Sequence, residues 1–325
     1  MAEPSEASDT CIGTAVSYAH AWEEMLQNPS SPYQQWAILC AFYVLLTFVV
    51  STVTGNYSQV DKLWSIVPFL YTWLTVIDAR TRLMAILATI WGIRLTYNFA
   101  RRGGYQWPPW EGDEDYRWAV IRKGGFVAIL KEPIPWVLFN FGFVSLYQNI
   151  LLLLIATPSL IAYTVAKECP ASSDRELNRI DYAAAAAFMF FVVIETIADN
   201  QQYAFQTEKY RRKNAGEPLT GEYADGFRQS GLFAIVRKPN YAAEQAIWIS
   251  FYLFSVAATH APTNWSAIGF LLLVQLFQSS GWFTEKITLE KYPQAYKRYM
   301  DRVPLYVPNP FQSPTMKSTK KGKKD

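Results

Sequence analysis

The sequence predicts an all-α, polytopic membrane bundle of about seven transmembrane helices with cytosolic amphipathic segments. Three observations carry this expectation. Trp36–Thr54, Trp136–Thr157 and Trp265–Phe283 run for 19, 22 and 19 residues without a charge, close to the length a helix needs to cross hydrocarbon. Charged residues make up 18% of the 325 positions, against about a quarter in soluble chains. Basic residues are also distributed unevenly along the chain. The mean hydropathy of +0.01 therefore averages apolar runs against polar segments.

Taken in chain order, Met1–Ser31 is a polar, acidic arm with no basic stretch ahead of an apolar core. It does not read as a cleaved signal peptide, and a mobile or surface-lying lumenal arm is expected. Residues 32–308 then form one membrane-embedded domain. Leu63–Ile77, Leu83–Phe99, Tyr182–Ala198 and Ala242–Thr259 join the three long runs as shorter or charge-bearing spans, holding Arg94, Glu195 and Glu244. Seven spans with the N-terminus outside place 24 Lys and Arg on the cytosolic side and five on the other, with Arg94 inside the membrane. That is the asymmetry of a positive-inside topology. Residues 309–325 make a Pro-containing basic tail expected to be disordered. Its last five residues, Lys321-Gly322-Lys323-Lys324-Asp325, are similar to a dilysine retrieval signal, which implies residence in the endoplasmic reticulum membrane with a cytosolic C-terminus.

Composition also excludes chemistries. Two histidines and three cysteines, with no CxxC or HxxxH, leave no metal-ligand spacing and no disulfide framework. No metal, no nucleic acid and no required protein partner are expected. The expected partners are membrane lipids and a hydrophobic small-molecule substrate.

Ionisable groups within a span are costly and point to function. Arg94, Asn98 and Arg101 share one helical face with Arg102 beside them, and Gly103-Gly104 ends the helix. This cationic ladder suits a long anionic ligand. Glu195, Asp199, Gln202 and Gln206 form a second stripe. Glu195 needs a partner or a proton, and Arg94 is a candidate partner. Asp199, Gln202 and Tyr203 offer acceptors for a ribose or an amide. A third cluster runs through Arg237, Lys238, Pro239, Asn240, Tyr241 and Glu244, where Pro239 starts a helix whose free N–H groups suit an anion. The last, from Glu285 and Lys286 through Tyr296 and Arg302 to Pro304, reads as an amphipathic surface segment.

These residues carry a family resemblance. Arg94 with Arg101-Arg102-Gly103, Glu114-Asp115-Tyr116-Arg117-Trp118, Asp199-Asn200-Gln201, Gly231 through Tyr241 with Glu244, and Glu285-Lys286 with Tyr296, Arg302 and Pro304 resemble the steroid 5α-reductase-like membrane superfamily. The nearer likeness is to its branch catalogued as a domain of unknown function, over about Asn56 to Pro308. The resemblance implies NADPH binding at the cytosolic side and hydride transfer to an activated C=C bond of a lipid or sterol-like substrate. It carries Arg94, Arg102, Asp199, Asn240, Glu244 and Glu285 to cofactor-contacting positions. Asn98, Arg101, Tyr203, Arg237, Tyr241 and Arg302 complete the expected cofactor set. Asp61 and Tyr97 are the candidate catalytic carbonyl partners. The sequence departs from steroid reductases at Ser279-Ser280-Gly281-Trp282, where histidines are usual, at Trp91 and at Ala243-Glu244. The isoprenylcysteine carboxyl methyltransferases, which use S-adenosylmethionine, share an Arg-x-Pro-x-Tyr stretch and a C-terminal Glu segment and supply the alternative enzyme class. A non-catalytic lipid-binding membrane protein is the other.

Overall fold

A computed structural model describes residues 12–13, 17–169 and 176–308. The basic tail and its dilysine sequence lie outside the described residues. The described chain is helical, without strands. The helices of six residues or more are α1 (Tyr18–Gln27), α2 (Pro32–Thr54), α3 (Gln59–Trp64), α4 (Val67–Trp73), α5 (Ala79–Ala100), α6 (Tyr116–Arg122), α7 (Pro133–Ala156), α8 (Pro158–Glu168), α9 (Arg179–Asn214), α10 (Pro239–Thr259), α11 (Ala267–Lys291) and α12 (Pro293–Met300).

Five of these, α2, α5, α7, α9 and α11, are long and apolar enough to cross a membrane. The expected count of seven is not reached by length and composition. Leu63–Ile77 is broken into α3 and α4 at Ser65-Ile66. Pro68, in the first turn of α4, lacks the N–H that a helix continuing from α3 would donate to the Trp64 carbonyl. Ala242–Thr259 falls within α10, a 21-residue helix that is not among the five.

Local chemistry sets the ends. The Ser31 side chain caps α2 by accepting from Tyr33 N, Pro32 opens it, and Gly55 closes it in the left-handed region at φ 72°, where glycine carries no Cβ penalty. Asp78 and Thr81 form a reciprocal capping box on α5.

Burial in α2 follows a helical stripe: Tyr33, Trp36, Cys40, Val44, Thr47 and Ser51 face inward, while Ile38, Phe42, Leu45 and Val53 are exposed. An apolar exposed face with hydroxyls turned inward is the inverse of a water-soluble helix.

The described residues cluster into two compact units, Met1–Val192 with Gln245–Ser279 and Val193–Glu244 with Ser280–Asp325. In the first unit, α2 and α7 are joined by side-chain amides. Asn140 Nδ2 donates to Ser51 Oγ (3.0 Å) and Thr52 Oγ1 (3.1 Å), and Asn149 Nδ2 donates to Thr47 Oγ1 (3.1 Å). Residues Asn140–Tyr147 of α7 are π-helical, a widened turn pattern that re-aims side chains. Arg80, opening α5, pairs with Asp181, opening α9, through Nε–Oδ1 (2.8 Å) and Nη2–Oδ2 (2.9 Å). Both side chains are buried. Gly92 lets α5 approach Phe69 and the Ser65 carbonyl, because a Cβ there would meet both.

The core of the second unit is aromatic. Tyr296, Tyr299 and Val303 are buried, with Phe227, Leu289, Tyr292 and Met300 packed around them. α12 is amphipathic: Tyr296 and Tyr299 turn into this core, while Pro293, Gln294, Lys297 and Arg298 are exposed.

The three cysteines also need a correction. Cys40 is a free, buried thiol, but Cys169 is disulfide-bonded, which the missing spacing motif did not reveal.

Candidate functional site

Each unit gathers its own polar cluster. In the first, α3 and the segment 103–118 are tied together. Lys62, 6% exposed, directs its Nζ to Glu111 O (2.6 Å), Pro109 O (3.0 Å) and Gln59 Oε1 (3.3 Å). Asn56 Nδ2 donates to Gly112 O (3.0 Å), Gln59 Nε2 to Trp110 O (2.9 Å), Tyr57 N to Glu114 Oε1 (2.6 Å) and Asp115 N to Ser58 Oγ (2.9 Å). Most of these bonds satisfy backbone carbonyls and N–H groups that an irregular segment otherwise leaves open.

The segment is thereby held against Asp61. Trp118 Nε1 donates to Asp61 Oδ2 (3.1 Å). Asp115 caps α6 through Arg117 N (2.9 Å) and takes a bidentate pair from the Arg117 guanidinium (2.9 and 2.8 Å). Burial, and after it the Asp115 charge, pushes the Asp61 carboxyl above the usual carboxylate range. Asp115 goes the other way. Burial works to raise it, but the Arg117 charge and hydrogen bonds, with Arg102 nearby, hold it below its ordinary value. Two neighbouring carboxyls are thus driven apart, one toward its neutral form and one toward its anion.

On α5, Arg94 is half-buried and Asn98 buried. Arg101 reaches back to Asn98 Oδ1 through Nε (3.0 Å) and Nη2 (2.7 Å), and Arg102 Nε donates to Asn98 O (3.3 Å). Asn98 therefore gathers both arginines that follow it. Tyr97 is 65% exposed, with the Arg101 guanidinium 5.5 Å from its ring centroid. An open cleft of about 480 Å³ on this unit is lined by Thr54, Asn56, Trp110, Glu111 and Asp113 among others. None of the expected cofactor residues lines it.

In the second unit, Asp199 is buried and accepts from Asn240 Nδ2 (3.4 Å). Gln201 Oε1 accepts from Leu232 N (2.9 Å), and Gly231, at φ 67°, sits against the Gln201 side chain where a Cβ would clash. Arg237 and Glu285 form a buried pair. Tyr296 OH donates to Glu285 Oε1 (3.0 Å), and Arg237 Nη1 donates to the Met300 (3.3 Å) and Val303 carbonyls. Burial first, then the Glu285 charge and hydrogen bond, raises the Tyr296 phenol. Tyr299 OH reaches Phe233 O (2.6 Å). Glu244 is buried, Tyr241 half-buried with Lys238 5.4 Å from its ring centroid, and Tyr203 at the edge of exposure. Arg302 is exposed and donates to Gln229 Oε1 (3.2 Å).

The expected site residues thus separate into one group on α3, α5 and α6 and another on α9, α10 and α11. Sequence reading missed the Lys62 cage, the Trp118–Asp61 bond and the enclosure of Arg237. The Trp107-Pro-Pro-Trp110 run was the available hint of a fixed loop, but no spacing rule links it to Lys62.

Comparison with known proteins gives a family and one relative. A family profile described as "Protein of unknown function (DUF1295)" matches residues 47–303. An uncharacterized protein of Schizosaccharomyces pombe (strain 972) is 36% identical over 286 residues, covering 82% of this chain and 78% of that protein. No solved structure matches.

Proposed function

We propose that this chain, which belongs to the family described as "Protein of unknown function (DUF1295)", catalyses NADPH-dependent reduction of an activated C=C bond in a hydrophobic, lipid- or sterol-like substrate within the membrane. The observation that carries this reading is Asp61. Trp118 Nε1 holds its carboxyl at 3.1 Å, and the shift of that carboxyl above the usual carboxylate range suits it to hydrogen-bond a substrate carbonyl. Negative charge develops on that oxygen when the conjugated double bond is reduced. The Trp118 hydrogen bond fixes the carboxyl, and the Lys62-pinned segment keeps Trp118 in place.

The donor set suits the cofactor. Arg94, Arg101 and Arg102 are planar cations fit for phosphates, and Asp199 with Asn240 offers the acceptor and donor that a ribose or carboxamide needs. Bound NADPH would supply the hydride. Arg237 enters the proposal through Glu285, which it orients, rather than as a phosphate partner.

The membrane topology is part of the proposal: seven crossings, a cytosolic C-terminus and residence in the endoplasmic reticulum. Hydrogen bonds support it by sidedness. Asn56, just after α2, bonds Gly112, beyond α5, so those points share a side. Arg80 and Asp181 share a side at the opposite end of α5. With α5 crossing, the chain between Thr54 and Ala79 would cross as well, through the run Leu63–Ile77 that follows Asp61. Asn178, ahead of α9, donates to Ala257 O near the end of α10 (2.9 Å). With α9 crossing, α10 would return. Cys169 then falls on the non-cytosolic side, where a disulfide persists.

The test is ligand binding by the purified full-length protein. Saturable NADPH binding, read by energy transfer from tryptophan to the nicotinamide, is expected to weaken at least about tenfold in Arg94→Ala and Asp199→Ala, the loss of one charge-assisted contact. Stabilisation by S-adenosylmethionine but not NADPH would replace the reductase reading with a methyltransferase. Indifference to both would favour a lipid-binding protein without turnover.

A further inference from the structure

We propose that α1 is an interfacial anchor whose Tyr18–Trp22–Leu26 stripe lies in the acyl–headgroup boundary of the leaflet at the N-terminal end of α2. The helix has three faces. His20, Ala21, Glu24 and Met25 turn toward the protein, the polar Glu23 and Gln27 are exposed beside Ala19, and between these two faces Tyr18, Trp22 and Leu26 are 66%, 60% and 69% exposed. Their i, i+4, i+8 spacing puts the three apolar side chains in one line.

The inner face is fixed to the first unit. Glu24 pairs with Lys167 of α8 (3.4 Å) and accepts from Asn28 Nδ2 (3.3 Å). His20 meets the Tyr33 ring edge-on at 6.5 Å between centroids. The exposed stripe is therefore held in a set direction, not left on a loose arm.

Its surroundings identify the occupant. Only Asn28–Ser31 separates α1 from α2, so α1 sits at the head of a span. The exposed apolar face of that span continues in Ile38, Phe42 and Leu45. Tyr18 also lies 6.1 Å between centroids from Trp265, which precedes α11. Tyr and Trp gathered at the heads of two spans make an aromatic belt. Tyr18–Gln27 contains no Lys or Arg. The contact is therefore made by apolar burial and not by attraction to anionic headgroups.

Site-directed nitroxide labelling in phosphatidylcholine nanodiscs tests this. Full-length Trp22→Cys, Tyr18→Cys, Glu23→Cys and Gln27→Cys each place a label on the exposed faces, while Cys40 is buried. Labels at 18 and 22 are expected to show a several-fold higher ratio of oxygen to aqueous nickel-chelate accessibility than labels at 23 and 27. Adding phosphatidylserine should leave that ratio unchanged. Equal aqueous access at 22 and 23 would overturn the proposal. So would protection of 22 from both reagents, the mark of a second copy or another protein. A ratio that follows phosphatidylserine content would overturn the apolar mode of contact.

Discussion

Arg237 and Glu285 face each other side-on, with Nε 2.5 Å from Oε1 and Nη2 3.0 Å from Oε2. Two residues that motif reading assigns to a cofactor are each other's principal partner, in a pocket where both side chains are about nine-tenths buried. Removing one partner strands the other charge. Arg237→Met or Glu285→Leu is therefore expected to cost about 3–5 kcal/mol. The double variant should lose less than the sum of the two. Thermal unfolding of the purified protein in detergent measures all three.

Asp61 and Asp115 should give opposite pH signatures. The raised Asp61 carboxyl contributes stability that is full below the ordinary carboxylate range and is lost as pH rises through its elevated value. Asp61→Asn should therefore gain on the wild type as pH climbs from about 4 upward. The lowered Asp115 carboxyl contributes stability present above the ordinary range and lost as pH falls through its depressed value. Asp115→Asn should lose at neutral pH and converge with the wild type in acid. Parallel melting curves for the two variants would refute the assignment.

Lys62 bonds three oxygens of α3 and the segment 109–111. Lys62→Met leaves two backbone carbonyls without their donor, at about 1–3 kcal/mol for a buried acceptor. Amide hydrogen exchange across residues 103–115 should accelerate, with α2 unaffected. A uniform change across the first unit would point to global destabilisation instead.

The amides between α2 and α7 act as glue in an apolar setting. Asn149→Leu should cost about 0.6 kcal/mol and not more than about 1.7, read as a shift in unfolding in mild detergent. A loss several times larger would mean that Asn149 does more than join two helices.

Much of this was legible in residue order. The uncharged runs at Trp36, Trp136 and Trp265 became α2, α7 and α11, and Pro239 opened α10. Each of these depends on neighbours within one or two helical turns, so periodicity and capping rules reach it. The break that divides Leu63–Ile77 was not foreseen, because the run's hydrophobicity masked Pro68.

The pairings were not legible. Arg80 finds Asp181 across 101 positions and Tyr57 finds Glu114 across 57, and no local rule connects them. Asp61 is an ordinary carboxylate in sequence; its shifted proton affinity comes from burial and from Asp115, brought close only by folding. Arg237 looked like a free cation beside a helix start, until Glu285 and Tyr296 enclosed it. Local patterning commits the backbone to helices and the apolar faces to lipid. Which charges neutralise one another depends on distance in space, and a buried charge is costly enough that its partner, more than its own identity, sets its role.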